Sequence, residues 1–156
     1  MIITIVHFED GIWDTLNDES RFVERVFQTL RDLGTDVIRV VDLRSAGSFQ
    51  HTTNLCEVEY HSTLESALTA CDGDTPRVFL CAPNEQPNGR APTSISEFTH
   101  PEGDVVYVIG ANYEPMDIDG AVREMDHTVH IPTQTKYKML WALPAATIVM
   151  YDRLVQ

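Results

Sequence analysis

Two histidines, His127 and His130, are of a residue type that binds metals. They lie three residues apart on a segment typical of a strand, which places their side chains on opposite faces. We therefore expect one exposed and one packed histidine, and no shared metal ion. The run Asp-Ile-Asp-Gly at 117–120 begins like a calcium-binding loop, but Ala121 occupies the next ligand position and Thr128 replaces the closing glutamate. The sequence predicts the start of a helix there, and no metal site.

The three cysteines, Cys56, Cys71 and Cys81, form no C-x-x-C pair. This spacing supports neither a zinc site nor a redox dithiol. An odd, sparse cysteine count indicates a reducing compartment. The first residues also lack the basic flank and the cleavage site of a secretory signal. We therefore expect a cytoplasmic protein.

The charge is strongly acidic, with 11 basic and 24 acidic side chains and a net charge of −13. A field of this sign repels nucleic acid and anionic lipid, so neither DNA nor a membrane is an expected partner. The only lysines, Lys136 and Lys138, flank Tyr137. Such a cluster can contact RNA phosphates while the ring stacks on a base, or it can be a solvated loop, and both readings stay open.

Apolar and polar segments alternate along the 156 residues as in a single domain spanning 1–156. No stretch reaches the roughly 18–20 apolar residues of a membrane span. The pattern predicts strands at 2–8, 36–42, 57–60, 77–82, 104–110 and 127–132, and helices at 20–33, 62–70, 118–125 and 144–154. This alternation predicts an α/β fold with a mainly parallel sheet flanked by helices. Ligands of such sheets bind beyond the carboxyl ends of the strands.

Several local signals mark the helix ends. Gly34 follows the first predicted helix, where a left-handed cap is common. Ser62 and Glu65 form a capping-box pattern before the second helix. Pro144 suits the first turn of the last helix. Phosphate loops, dinucleotide-binding glycine motifs and G-x-S-x-G nucleophile elbows are all missing from the sequence.

The C-terminal third has a specific order of motifs. An apolar strand enters Gly-Ala-Asn-Tyr-Glu-Pro at 110–115, His-Ile-Pro-Thr follows at 130–133, and an apolar helix ends with Val-Met-Tyr-Asp at 149–152. This order resembles the SPOUT superfamily of knotted methyltransferases, and most closely its minimal single-domain SpoU-like members, which methylate ribose 2′-hydroxyls of tRNA or rRNA. Their pattern is Gly-Pro-Glu, Ile-Pro-Met, a Ser-Leu/Met-Asn loop and a helix ending Val-x-x-Tyr-Glu. The spacing from Ile131 to Tyr151 fits it without a gap.

The resemblance implies a C-terminal trefoil knot, a homodimer and S-adenosylmethionine as the cofactor. It also implies a cofactor cradle at the strand ends and in the basic loop. By position, the cradle residues are Cys81, Ala82, Gly110, Ile131, Met139 and Leu140.

The chain departs from the family at its polar positions. Counting back from the helix-ending glycine places Gln28 where the family has an arginine that activates the ribose hydroxyl. Arg25 lies one turn earlier and Arg21 one turn before that, and Arg25 is the candidate catalytic residue. Asn112 replaces the family's glutamate, and Trp141 replaces its loop asparagine.

Three hypotheses follow from these observations. The first is an S-adenosylmethionine-dependent RNA methyltransferase that acts as a homodimer on structured RNA. The second is a non-catalytic SPOUT-fold binding protein that has lost its catalytic residues. The third is an unrelated doubly wound α/β protein that binds a phosphate-bearing small molecule.

Overall fold

The structure is a computed structural model that describes residues 1–7, 19–41, 57–110, 118–134 and 142–156, without the side chains of 19–24. The strands are β1 (Ile2–His7), β2 (Val37–Val41), β3 (Glu57–His61), β4 (Arg77–Leu80), β5 (Thr93–Ser94), β6 (Val105–Ile109) and β7 (His127–His130). The helices are α1 (Glu19–Asp32), α2 (Leu64–Thr69) and α3 (Ala142–Val155). Within these ranges, no helix is long and apolar enough to cross a membrane.

The strands form one seven-stranded sheet in the order β3-β2-β1-β6-β4-β7-β5. Every described strand pair is parallel. The predicted α/β class and mainly parallel sheet are therefore confirmed. All five positions of β2 and of β6 are buried, as expected for strands that are covered on both faces.

Two apolar clusters cover the two faces of the sheet. One joins α1 and α3 to the sheet through Phe27, Tyr107 and Met150, each fully buried. The other joins α2 to the sheet through Leu64 and Phe79. Full burial of each such side chain contributes about 1.5–3 kcal/mol, so both layers hold the sheet in place.

Helix α1 follows the predicted apolar spacing. Phe27 and Leu30 are fully buried, and Val26 packs against the same cluster. The helix ends at Gly34, whose φ is +105°. The amide of Gly34 donates to the carbonyl of Arg31 (2.8 Å), and the amide of Thr35 donates to that of Leu30 (2.9 Å). This is a Schellman cap, and it confirms the predicted role of Gly34.

The helix predicted at 118–125 is wrong, because the segment forms consecutive turns. The amides of Ala121 and Val122 both donate to the carbonyl of Ile118 (2.9 and 3.0 Å). Asp126 then accepts from the backbone amide of Arg123 (2.8 Å) and from its guanidinium. A short polar side chain that bonds nearby backbone gives the chain an alternative to helix.

Two smaller predictions also need correction. The N-cap of α2 is Thr63 rather than Ser62, and its hydroxyl accepts from the amide of Ser66 (3.1 Å). The sequence also missed β5, whose two residues are too few to show a period. Pro144 does lie in the first turn of α3.

Arg39 joins three elements although it is only 6% exposed. Its Nε donates to Glu59 on β3 (2.6 Å), and its Nη atoms donate to the carbonyls of Ala67 (3.0 Å) and Ala70 (3.3 Å) at α2. Burial raises the pKa of Glu59, but hydrogen bonds from Arg39 and His61 outweigh it and hold the pKa below its usual value. The buried cation is thus matched by a carboxylate and by backbone carbonyls.

A second polar network fixes the end of α3. His100 Nε2 donates to Asp152 of α3 (2.9 Å), and its Nδ1 accepts from the hydroxyl of Tyr107 on β6 (2.7 Å). Gln156 donates to the carbonyl of Phe98 (2.8 Å). Burial raises the pKa of Tyr107 to about 12, so the phenol stays neutral and remains a donor. These bonds orient the last turns of α3 against the sheet.

Candidate functional site

The register of β4 brings three strand ends together. Leu80 pairs with Ile109 of β6 on one side and with Val129 of β7 on the other. The residues that follow these partners therefore meet at one edge of the sheet. The amide of Cys81 donates to the carbonyl of Val129 (2.8 Å), which extends the pairing one residue further.

Four of the six predicted cradle positions lie at this edge. Cys81 and Ala82 follow β4, Gly110 follows β6, and Ile131 follows β7. Ala82, Gly110 and Ile131 are half-buried, and Ile131 packs against the cluster beneath α3. At this edge, small or apolar side chains thus lie beside the first backbone groups after each strand. The other two positions, Met139 and Leu140, lie outside the described residues.

Cys81 is 7% exposed, and its thiol contacts the carbonyl of Phe79 (3.7 Å). Burial raises the pKa of the Cys81 thiol to about 12, and the negative charges of Glu85 and Asp119 act in the same direction. A thiol with this pKa is protonated at neutral pH and is therefore a poor nucleophile. Cys81 therefore packs as a small, neutral side chain at the end of β4.

The loop after β4 is held against the turns before β7. Asn88 has a left-handed backbone (φ 55°), and its amide donates to the carboxylate of Asp119 (3.3 Å). The guanidinium of Arg90 donates to the carbonyls of Glu124 (3.0 Å) and Arg123 (3.1 Å). The contacts of Arg90 lie at the amino end of β7, because Thr93 of β5 pairs with Val129 in a parallel register, and sequence reasoning did not find them. The Asn88-Gly89 dipeptide, a turn signal, was the available clue.

The two histidines do not form a shared site. His127 is exposed, and its ring lies edge-on to Phe98 with centroids 5.4 Å apart. His130 is half-buried at the end of β7, and its Nδ1 is buried without a hydrogen-bond partner. In the described part of the chain, no group of three or more potential metal ligands lies together.

Arg25 faces solvent near the middle of α1, as does Gln28. In a single chain, the predicted catalytic guanidinium is thus exposed, whereas Cys81 at the cradle is buried. The predicted RNA-contacting residues and two of the family departures lie outside the described residues: Lys136, Tyr137, Lys138, Asn112 and Trp141.

Comparisons with known proteins identify the fold. The chain matches no protein-family model and no curated protein sequence. It is similar in structure to the TrmH/SpoU tRNA modifying enzyme of A. aeolicus, with a TM-score of 0.68 and 14% identity over 99% of this chain and 74% of that one. A second similar structure is the AdoMet-bound rRNA methyltransferase of Sinorhizobium meliloti, with a TM-score of 0.62 and 12% identity over 97% of this chain.

A third similar structure concerns the 2-OH methylation of C/U34 on tRNA, with a TM-score of 0.65 and 16% identity over 97% of this chain and 93% of that one. The chain spans 55% of the length of the Sinorhizobium enzyme. At identities of 12–16%, the likeness concerns the fold alone. The fold thus agrees with the resemblance to SPOUT methyltransferases.

The raised pKa of Cys81 predicts a slow reaction with alkylating reagents. At about pH 8, we expect iodoacetamide to label Cys81 at least about 100-fold more slowly in the folded chain than in concentrated urea, because the thiolate is the reactive form. Peptide mass spectrometry after timed labelling distinguishes Cys81 from the other cysteines. Equal labelling rates in the folded and unfolded chain would contradict the buried, neutral thiol.

Proposed function

We propose that this chain is an S-adenosylmethionine-dependent RNA methyltransferase of the SPOUT type. The observation that carries the proposal is the fold likeness over 97–99% of the chain to enzymes described as acting on tRNA or rRNA, one of them bound to AdoMet. We further propose that residues 1–156 form one domain with a C-terminal trefoil knot. An enzyme of this substrate class is expected in the cytoplasm, which agrees with the free thiols of Cys71 and Cys81 in the described part of the chain.

The residues at the proposed cradle fit an adenosyl group. The neutral Cys81 thiol and the half-buried Ile131 side chain provide apolar walls for a base. Gly110 has no side chain, so backbone can approach a ligand closely. Met139 and Leu140 complete the proposed cradle. When bound, S-adenosylmethionine supplies an electrophilic methyl group.

The contribution of the chain is then mainly positioning. Holding two reactants in line supplies several kcal/mol of barrier reduction without a strong base. A protonated Cys81 does not compete with the RNA for the methyl group, because it carries no thiolate at neutral pH. Arg25 is the proposed contact to the ribose hydroxyl, and Lys136, Tyr137 and Lys138 are the proposed contacts to structured RNA.

We propose a homodimer in which α3 packs across the two-fold axis. Four large apolar side chains on this helix are exposed, with fractions of 39–59%: Ile148, Tyr151, Leu154 and Val155. Their spacing places them on one stripe of about 120°. The His100–Asp152 bond and the Gln156–Phe98 bond hold this stripe in a fixed orientation.

A non-catalytic SPOUT-fold binding protein is the second candidate, and a specific observation favours it. The Schellman cap places the end of α1 at Gly34, and counting back from Gly34 puts the exposed Gln28 where the family resemblance implies an arginine. Glutamine has no basicity and cannot accept a proton in the reaction. The net charge of −13 also opposes RNA binding.

Methyl transfer separates the two candidates. With radiolabelled S-adenosylmethionine at low salt, we expect incorporation into bulk tRNA or rRNA that nucleoside analysis assigns to ribose. Arg25→Ala should lower the rate by about 100-fold, because a reacting hydroxyl misplaced by about 1 Å can cost this much. Arg31→Ala, at an exposed arginine further along α1, is the matched control and should keep the rate.

Full activity of Arg25→Ala would remove Arg25 from the mechanism. Absence of incorporation into any bulk RNA would contradict the enzyme and leave the binding protein.

The proposed interface predicts the effect of charge on α3. The wild-type chain should sediment at twice its mass of 17.6 kDa. The double substitution Tyr151→Asp and Leu154→Asp should sediment as a monomer, because two buried carboxylates would face each other across the two-fold axis. Met125→Asp, at a side chain 60% exposed in the turns before β7, is the control and should remain dimeric. A monomeric wild type would contradict the proposal.

A further inference from the structure

A groove of about 570 Å³ lies between α2 and the turns before β7. Its lining combines apolar side chains with charged ones: Leu64, Leu68, Ala121, Glu65, Arg77 and Arg123. We call it the α2 groove. Its volume lies in the range of small-molecule sites, which typically combine apolar walls with a few placed polar groups.

Arg77 is the unusual residue of the α2 groove. It is the first residue of β4 and is half-buried, and its Nε is buried without a hydrogen-bond partner. Among the described residues, its side chain has no carboxylate or carbonyl partner. A buried guanidinium donor without an acceptor is costly. In a chain of net charge −13, Arg77 is thus a cation that the described residues leave without an acceptor.

The other two charged residues of the groove define its polarity. The guanidinium of Arg123 is already hydrogen-bonded within the fold. It donates to Asp126 (2.7 Å) and to the carbonyls of Gly73 and Thr75. It therefore fixes the wall of the groove and leaves Arg77 as the available cation. Glu65 is exposed at the start of α2 and forms no ion pair with Arg77. Glu65 thus places a negative charge in the same groove.

We propose that the α2 groove binds a small molecule with an apolar body and one terminal oxyanion, a carboxylate or a phosphate. Arg77 receives the oxyanion through its planar fork of N–H donors, which matches both groups. The apolar body lies against Leu64, Leu68 and Ala121. Binding supplies an acceptor that the described residues do not provide.

This site is separate from the proposed cofactor cradle. Arg77 begins β4 and Cys81 follows its end, so the two residues lie about 13 Å apart along the strand. The groove is at the amino edge of β4 and β7, and the cradle is at their carboxyl edge. The proposal therefore does not rest on methyltransferase activity.

Calorimetric titration of the full chain with three matched aromatic probes tests the proposal. Benzoate carries a carboxylate, phenyl phosphate carries a phosphate, and benzamide carries neither charge. We expect one-to-one binding of at least one anion and no binding of benzamide. The anion that binds more tightly identifies which oxyanion the site prefers.

Four variants assign the binding to the groove. Arg77→Gln should weaken the anion at least about tenfold, since it removes a charge-assisted pair. Glu65→Gln should strengthen it several-fold by removing the opposing charge. Gly120→Leu should abolish it while keeping Arg77, because a Cβ at Gly120 meets nothing within 4 Å and the added side chain has room to fill the groove. Arg31→Gln on α1 should change nothing.

Two results would overturn the proposal. The first is absence of saturable binding of either anion to the wild-type chain at millimolar concentration. The second is equal affinity of wild type and Arg77→Gln, with circular dichroism showing both folded.

Discussion

The register of the four residues of β4 determines which strand ends lie together at the carboxyl edge of the sheet. Leu80 pairs with β6 and β7 at once, and in a parallel sheet this register aligns the carboxyl ends of three strands. A shift of one residue would turn Phe79 away from the α2 layer and toward the smaller site that Val78 fills under α1 and α3. The apolar pattern of β4 therefore fixes the register, and the register places Cys81, Gly110 and Ile131 at one edge.

The same strand separates two chemical environments. At its carboxyl edge, a neutral buried thiol and small or apolar residues form a surface suited to an uncharged base. At its amino edge, Arg77 is a cation whose Nε has no acceptor among the described residues. The buried charge of Arg39, by contrast, is satisfied by its bonds to Glu59 and to α2. The contrast between Arg39 and Arg77 distinguishes a structural arginine from one available to a ligand.

Much of this arrangement could be predicted from the sequence. Continuous β-branched runs predicted the central strands, and Gly34 marked the end of α1. Four cradle positions followed from strand ends, although their relation to a cofactor came from family resemblance. The sequence failed where side chains compete with backbone, since Asp126 replaced a predicted helix by turns. It also failed where an element is too short for a period, as in β5. The lack of a hydrogen-bond partner at the Nε of Arg77 could not be predicted, because it depends on which acceptors the fold brings near this atom.

We propose that the carboxyl edge of β4, β6 and β7 binds S-adenosylmethionine. Calorimetric titration with S-adenosylmethionine and S-adenosylhomocysteine measures this binding. We expect micromolar binding at one site per chain, lost in Gly110→Val and kept in Gly73→Ala, a position where a Cβ meets nothing within 4 Å. Absence of binding at millimolar ligand, or equal binding by Gly110→Val, would contradict it.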